Sequence, residues 1–273
     1  MNNIERKQFL MQDLENKLKW LEENTSHNVI YLALQGSQNY EMDVYTAEYQ
    51  SDVDVKAIIV PSFDDILKGK DFFSHTYIMD DNSHIDVKDI RLYINMWKKA
   101  NPAYLEILFT EFYILKNVKF KQILDMADSI AEANISRLLS CIKGMQMEKY
   151  KALKHPYPTL KDKIDKYGYD PKQYHHIYRL FIFTRDLCEL KYKFKDALVI
   201  NNIADKQKCL DAKTKTYALD TVEAAVVKYI ELTENIIYNY RASNELTVHE
   251  DTYKEMENII YSIIKANCIC NLL

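Results

Sequence analysis

Two aspartates at alternate positions, in Ser51-Asp52-Val53-Asp54-Val55-Lys56, constrain this chain more than any other feature. Side chains of a strand alternate between faces, so Asp52 and Asp54 share one face while Val53 and Val55 take the other. Two carboxylates this close repel each other unless a cation sits between them. The strand runs on through Ala57-Ile58-Ile59-Val60, and Pro61 ends it. Ahead of it, Val29 to Leu34 reads as an apolar strand leading into Gln35-Gly36-Ser37-Gln38-Asn39-Tyr40. A cation-binding pair beside a Gly-Ser turn is an arrangement that suits a nucleoside triphosphate.

The 273 residues leave room for two domains of ordinary size, and 48% hydrophobic residues suffice for a core. Four glycines and five prolines argue for long helices rather than a β-sandwich. The sequence has no run of 18 apolar residues, and its N-terminus lacks the apolar core of a signal peptide, so no membrane segment is expected. Five scattered cysteines suit reduced thiols in the cytoplasm, with Cys268 and Cys270 as ordinary apolar residues of a terminal helix. The formal charge of −4 is unevenly spread: Lys143 to Lys195 holds thirteen basic and six acidic residues, a balance of +7. That segment points to an anionic substrate, or to a solvated helical face.

In chain order, Ile4, Leu10, Leu14, Leu18 and Leu21 predict an amphipathic helix over 4–24 that covers the sheet. Strands follow at 29–34 and 52–60, separated by a polar, tyrosine-rich insert at 41–50. A short helix is expected from Phe63 to Gly69, a strand from Phe72 to Met79, and a turn at 80–83. His84-Ile85-Asp86-Val87-Lys88 alternates again as a strand. Asp89 then stands as the N-cap of a helix running to Lys99, and Asn101-Pro102 opens another through Phe109. Beyond residue 120, helical periodicity dominates at 121–154, 171–194, 216–242 and 249–267, interrupted at His155-Pro156-Tyr157-Pro158. The expected fold is α+β: a mixed-sheet domain over 1–118, then an all-helical domain over 119–273 that holds substrate.

Gly36-Ser37, then Asp52-Val53-Asp54, then an acid on a later strand resembles the DNA polymerase β-like nucleotidyltransferase superfamily. Within it, the chain resembles the predicted nucleotidyltransferases associated with RNA repair. That family's Gly-Ser-x-x-Tyr-Gly, Ser-Asp-x-Asp, Asn-Pro and Glu-x-Leu-Phe appear here as Gly36-Ser37-Gln38-Asn39-Tyr40, Ser51-Asp52-Val53-Asp54, Asn101-Pro102 and Glu106-Ile107-Leu108-Phe109. The family's Lys, His and Arg of the helical half match Lys172, His176 and Arg179. The resemblance runs from about Val29 to about Ile237. Two departures stand out: Glu41 replaces the glycine after the tyrosine, and the loop from Ser37 to Asp52 is a few residues longer than usual.

The resemblance implies a nucleotidyltransferase fold and transfer of a nucleoside monophosphate from a triphosphate to a hydroxyl acceptor such as an RNA end, with release of pyrophosphate. It implies two magnesium ions, or manganese, on Asp52, Asp54 and Asp86, with Asp86 also taking the acceptor's proton. Asp89 competes for that role but is assigned to the helix cap. Gly36, Ser37, Lys172, His176 and Arg179 would hold the triphosphate or an RNA end, the last three sharing one helix face. Tyr40 would either stack on a base or pack internally. Glu106 is expected to orient its neighbours. Two alternatives come from other classes: a catalytically silent relative that binds nucleotide or a partner protein, and an adenylyltransferase acting on small molecules.

Overall fold

The computed structural model describes residues 3–45, 50–158 and 160–270; the inserted loop at 46–49 and the Cys270 side chain lie outside the described residues. The chain divides into two compact units, residues 1–133 with 248–273 and residues 134–247. This division differs from the expected boundary at 118: residues 119–133 and the terminal helix Glu250–Cys270 belong with the sheet.

The first unit is built on five strands: β1 (Asn28–Gln35), β2 (Asp54–Val60), β3 (Ser74–Ile78), β4 (His84–Asp89) and β5 (Tyr113–Leu115). Their order is β3-β4-β2-β1-β5, with β2 and β4 parallel and the other neighbours antiparallel. The sheet is therefore mixed, as expected. One face is apolar. Leu32, Leu34, Val55, Ala57, Ile59, Ile85 and Val87 pack against Leu10, Leu14 and Leu21 of helix α1 (Asn3–Asn24). Those three leucines are fully buried, whereas Ile4 at the helix start is 71% exposed, so the buried stripe begins at Leu10, nearly two turns in.

The other face takes α3 (Ile90–Lys98) and α4 (Pro102–Leu105), after a short α2 (Phe63–Leu67). Asp89 caps α3, accepting from Arg91 N at 2.9 Å, and Asn101 caps α4, with Pro102 at a position that needs no N–H donor. Tyr93 and Trp97 of α3 and the ring of Phe120 fill this side beside Tyr31. The expected helix at 121–154 is broken into α5 (Lys121–Asp125), α6 (Ala127–Glu132) and α7 (Ile135–Ala152). Asn134 caps α7 at the second break, accepting from Arg137 N.

In the second unit, α7 is followed by α8 (Lys161–Tyr167), α9 (Pro171–Cys188), α10 (Phe194–Leu198), α11 (Ile203–Thr214) and α12 (Leu219–Ser243). Helix α9 is the centre, packed against α7, α10, α11 and α12 and buried on most of its circumference. Gln146 of α7 ties this bundle, donating to the Ile177 carbonyl and the Thr233 hydroxyl, both at 3.1 Å. Arg185 of α9 pairs with Asp186 and, at 2.7 Å, with Asp205 of α11.

A buried histidine makes this unit acid-sensitive. His175 is 2% exposed, donates from Nδ1 to the Cys209 carbonyl at 2.8 Å, and is pushed down to about 3 by burial. In the unfolded chain it titrates near 6.5, so from there down to about 3 the unfolded state binds the extra proton. Stability is full above about pH 6.5 and falls as pH drops, by up to about 1.4 kcal/mol per pH unit for this group. His176 is shifted the same way, burial again leading. Urea midpoints measured from pH 7 to pH 4.5 are expected to fall in the wild type and to fall less steeply in His175→Asn.

Candidate active site

The polar end of the sheet is set by strand register. On β1, Gln35 lies opposite Asp54 of β2, and Ala33 opposite Lys56. On β4, Ile85 pairs with Val55 and Asp86 with Lys56, which puts His84 beside Asp54. Neighbouring residues in adjacent strands share a face, so one row reads Gln35, Asp54, His84 and the next Ala33, Lys56, Asp86. Asp54 Oδ1 accepts from the His84 backbone N–H at 2.8 Å and from His84 Nδ1 at 3.0 Å. Gln35 Oε1 is buried and has no hydrogen-bond partner among the described residues.

Asp86 sits one row deeper, about 7 Å along the strand. It is 9% exposed, and both its oxygens face ammonium groups: Lys88 Nζ contacts Oδ1, and Lys56 Nζ lies 3.3 Å from Oδ2. Thr76 Oγ1 adds a donor at 3.4 Å. Lys56 also lies 4.5 Å from the centre of the Tyr104 ring. Burial pulls its amine below the usual lysine range, with Asp86 opposing that shift. Among the described residues, no three His, Cys, Asp or Glu side chains are grouped to hold a metal ion. In the parallel register of β2 and β4, Lys56 stands beside Asp86, one row from Asp54. Asp89 is turned to Arg91, which grips it with two hydrogen bonds, in keeping with its cap assignment.

The glycine turn is tied to the same end of the sheet. Gly36 has φ 94° and ψ −152°, a conformation that side-chain-bearing residues avoid. Its N–H donates to Glu106 Oε1 at 3.1 Å, so Glu106, itself 5% exposed, orients the turn as expected. Ser37 opens a 3-10 turn, Ser37–Tyr40. Gln38 then donates from Nε2 to the Asp52 carbonyl at 2.5 Å, joining the turn to the aspartate segment. Asp52 itself is exposed, just ahead of β2. Arg6 of α1 clamps the far side of the turn through the Gln38 carbonyl and both oxygens of Asp43. Tyr40 is 5% exposed, a placement that suits internal packing rather than a stacking platform for a base.

Glu41, which stands where the resembling family has glycine, adopts φ 56° and ψ 37°. The left-handed conformation is thus retained without the residue that adopts it freely. Glu41→Gly is expected to hold or raise stability, by up to about 1 kcal/mol, because the steric cost removed exceeds the added chain entropy. Glu41→Val, with branching at Cβ, is expected to lower it by about 1–2 kcal/mol. Urea denaturation of the two variants checks both signs.

In the second unit, Lys172, His176 and Arg179 lie along one face of α9, with Lys172 exposed and the other two half-buried. Asp170 caps this helix by accepting from Lys172 N. Burial and the neighbouring charges of Arg179 and Lys172 keep His176 neutral at neutral pH, so it offers hydrogen bonds rather than charge.

The donors present suit a divalent cation in part. Asp52, Asp54 and Asp86 carry oxygen donors of the kind magnesium or manganese takes, and Asp86 is paired here with Lys56 and Lys88. A mixed sheet with a glycine turn feeding a strand that starts at an aspartate, followed by helices, defines the class: an α+β protein. The model of the RNA repair pathway DNA polymerase beta family matches residues 10–255, and the chain belongs to that family. No curated protein matches it in sequence. Among the described residues, no helix is long and apolar enough to cross a membrane.

Proposed function

We propose that the chain is a metal-dependent nucleotidyltransferase that moves a nucleoside monophosphate from a triphosphate to a hydroxyl, with an RNA end as acceptor and pyrophosphate as the leaving group. The observation that carries this reading is the meeting, at one sheet end, of Asp54 with the Gly36 turn through the Gln38–Asp52 bond. Asp52 and Asp54 would hold magnesium or manganese, which when bound neutralises phosphate charge and polarises the α-phosphoryl group. Glu106 keeps the turn in the shape that lets Ser37 meet the phosphates. On α9, Lys172 and Arg179 supply charge for a phosphate, and neutral His176 a hydrogen bond. The family supports the nucleotide chemistry; the RNA end rests on the family's RNA repair setting and on the basic segment from 143 to 195.

A silent relative that binds nucleotide without turnover is the second reading, favoured by the lysine pair on Asp86. Incubation with labelled triphosphates, magnesium and total RNA separates the two. Label in RNA that is lost in Asp52→Ala supports the enzyme. Tight triphosphate binding without any incorporation supports the silent relative.

A further inference from the structure

We propose that the outer edge of β3 is where a second copy of this chain adds to the sheet, its own β3 pairing antiparallel across a twofold axis at Thr76. The joined sheet would run β5-β1-β2-β4-β3-β3-β4-β2-β1-β5. Strand β3 ends the sheet, and its residues are exposed apart from a half-buried Tyr77. Which of its backbone groups face outward follows from the two ends of its ladder with β4. The Asp89 N–H donates to the Phe73 carbonyl and the Met79 N–H to the Ser83 carbonyl, both at 2.9 Å. In an antiparallel pair, bonded and non-bonded residues alternate, so Phe73, His75, Tyr77 and Met79 direct their backbone groups to β4. Ser74, Thr76 and Ile78 therefore turn three N–H groups and three carbonyls away from the sheet. Among the described residues, no loop or cap takes them up.

Such an edge is a template for another strand, and proteins ordinarily blunt it with charge, proline, a bulge or shortness. At the opposite edge, β5 is blunted by its three-residue length. Strand β3 lacks these devices: Ser74-His75-Thr76-Tyr77-Ile78 holds no lysine, acid or proline, and its ladder runs unbroken from Ser74–Lys88 to Ile78–His84. A second copy fits because the strand complements itself. Turned about Thr76, Thr76 faces Thr76, Ser74 faces Ile78 and His75 faces Tyr77, with no charge to repel its own image. The outward residues fall in bonded pairs, so all three N–H groups of each copy meet a carbonyl of the other. His75 and Tyr77 already touch edge to face within one strand, at 4.5 Å, and the twofold adds the same pair across strands. Aromatic pairs and Thr–Thr pairs are among the cross-strand contacts that stabilise a sheet. Ile78, 71% exposed, comes diagonal to Phe72 of the second copy, itself 46% exposed. A twofold contact is closed, so association ends at two copies.

Sedimentation equilibrium of the full chain over a series of concentrations reads the association. Wild type is expected to reach dimer and stop there. Ser74→Lys with Ile78→Lys sets like charges opposite each other at both ends of the strand pair, and is expected to weaken the dimer about tenfold or more. Ser74→Glu with Ile78→Lys sets opposite charges there and should restore it, a rescue that depends on the proposed register. Melting curves establish that each variant is folded. Disulfide trapping reads the register without added charge. Thr76→Cys lies on the axis with Cα atoms about 5.5 Å apart, within disulfide reach, and is expected to give a cross-linked dimer under mild oxidation. Ile78→Cys, whose two copies stand four residues apart along the strands, about 13 Å, is expected to cross-link no more than wild type. A wild type that stays monomeric would overturn the proposal, leaving the edge bare or open to an extended peptide from another protein. Association running past the dimer, or a dimer that both double variants leave unchanged, would overturn it by placing the contact elsewhere. Cross-linking of Ile78→Cys in preference to Thr76→Cys would overturn it by setting another register.

Discussion

Asp54→Ala is expected to lower nucleotidyl transfer about a thousandfold while the protein stays folded. A ligated cation contributes several kcal/mol of transition-state charge stabilisation, and each 1.36 kcal/mol is tenfold in rate. Asp54 is the carboxylate best placed to provide this. It stands at the first position of β2, between Gln35 and His84, with one oxygen free of hydrogen bonds among the described residues. Its side chain is 29% exposed and makes no part of the apolar face. Removing it frees a half-exposed histidine and leaves no cavity in the core. The expected pattern is therefore a large fall in kcat with an unchanged melting temperature, measured by transfer of label from a triphosphate and by thermal denaturation on the same preparations. A parallel fall in melting temperature would mean that the aspartate serves the fold rather than the reaction.

Asp86→Ala should do the reverse, lowering stability by about 3–5 kcal/mol. Breaking a buried ion pair from one side strands the remaining charge, and here two charges are stranded. The Lys56 and Lys88 side chains are only 6% and 11% exposed. Losing Asp86 removes the largest influence opposing the burial of Lys56, so that amine is driven further down. Tyr93 and Tyr104, which pack over this row, then face uncompensated ammonium groups. Replacing the whole triad with Met at 56 and 88 and Leu at 86 should recover most of the loss, because apolar side chains of similar volume replace buried ion networks at little cost. Urea unfolding of the single and triple variants measures both quantities. A single variant within about 0.5 kcal/mol of wild type would contradict the description of this row as a buried, mutually dependent set.

Much of the fold is written in local pattern. The alternation at 52–60 and 84–88 gives β2 and β4, and the leucines of α1 give the cover over the sheet. Strand β5 was not legible: Tyr113-Ile114-Leu115 is too short to alternate, and pairing with β1 makes it a strand. The breaks between α5, α6 and α7 were hidden too, since apolar spacing continues across residues 126 and 133–134.

The site shows the same division more sharply. Alternation tells which residues share a face but not how two strands slide past each other, and a slip of two residues keeps every face while changing every neighbour. That is why the neighbours of Asp86 were not legible. A signal was nevertheless present. Asp52, Asp54 and Lys56 form one comb and His84, Asp86 and Lys88 another, and opposite charges favour adjacency while like charges oppose it. Setting Lys56 beside Asp86 satisfies that rule and brings His84 to Asp54. Gln35 carried no signal of its own, because a glutamine before a Gly-Ser turn is ordinary.

Transfer of the α-phosphorus tests the account most directly. The protein is incubated with RNA, magnesium and either an α-labelled or a γ-labelled nucleoside triphosphate, with and without a chelator. The expected result is α-label in RNA, γ-label released as pyrophosphate, and neither in the presence of the chelator. Label reaching RNA from the γ position, or α-label incorporated undiminished by chelation, would contradict it.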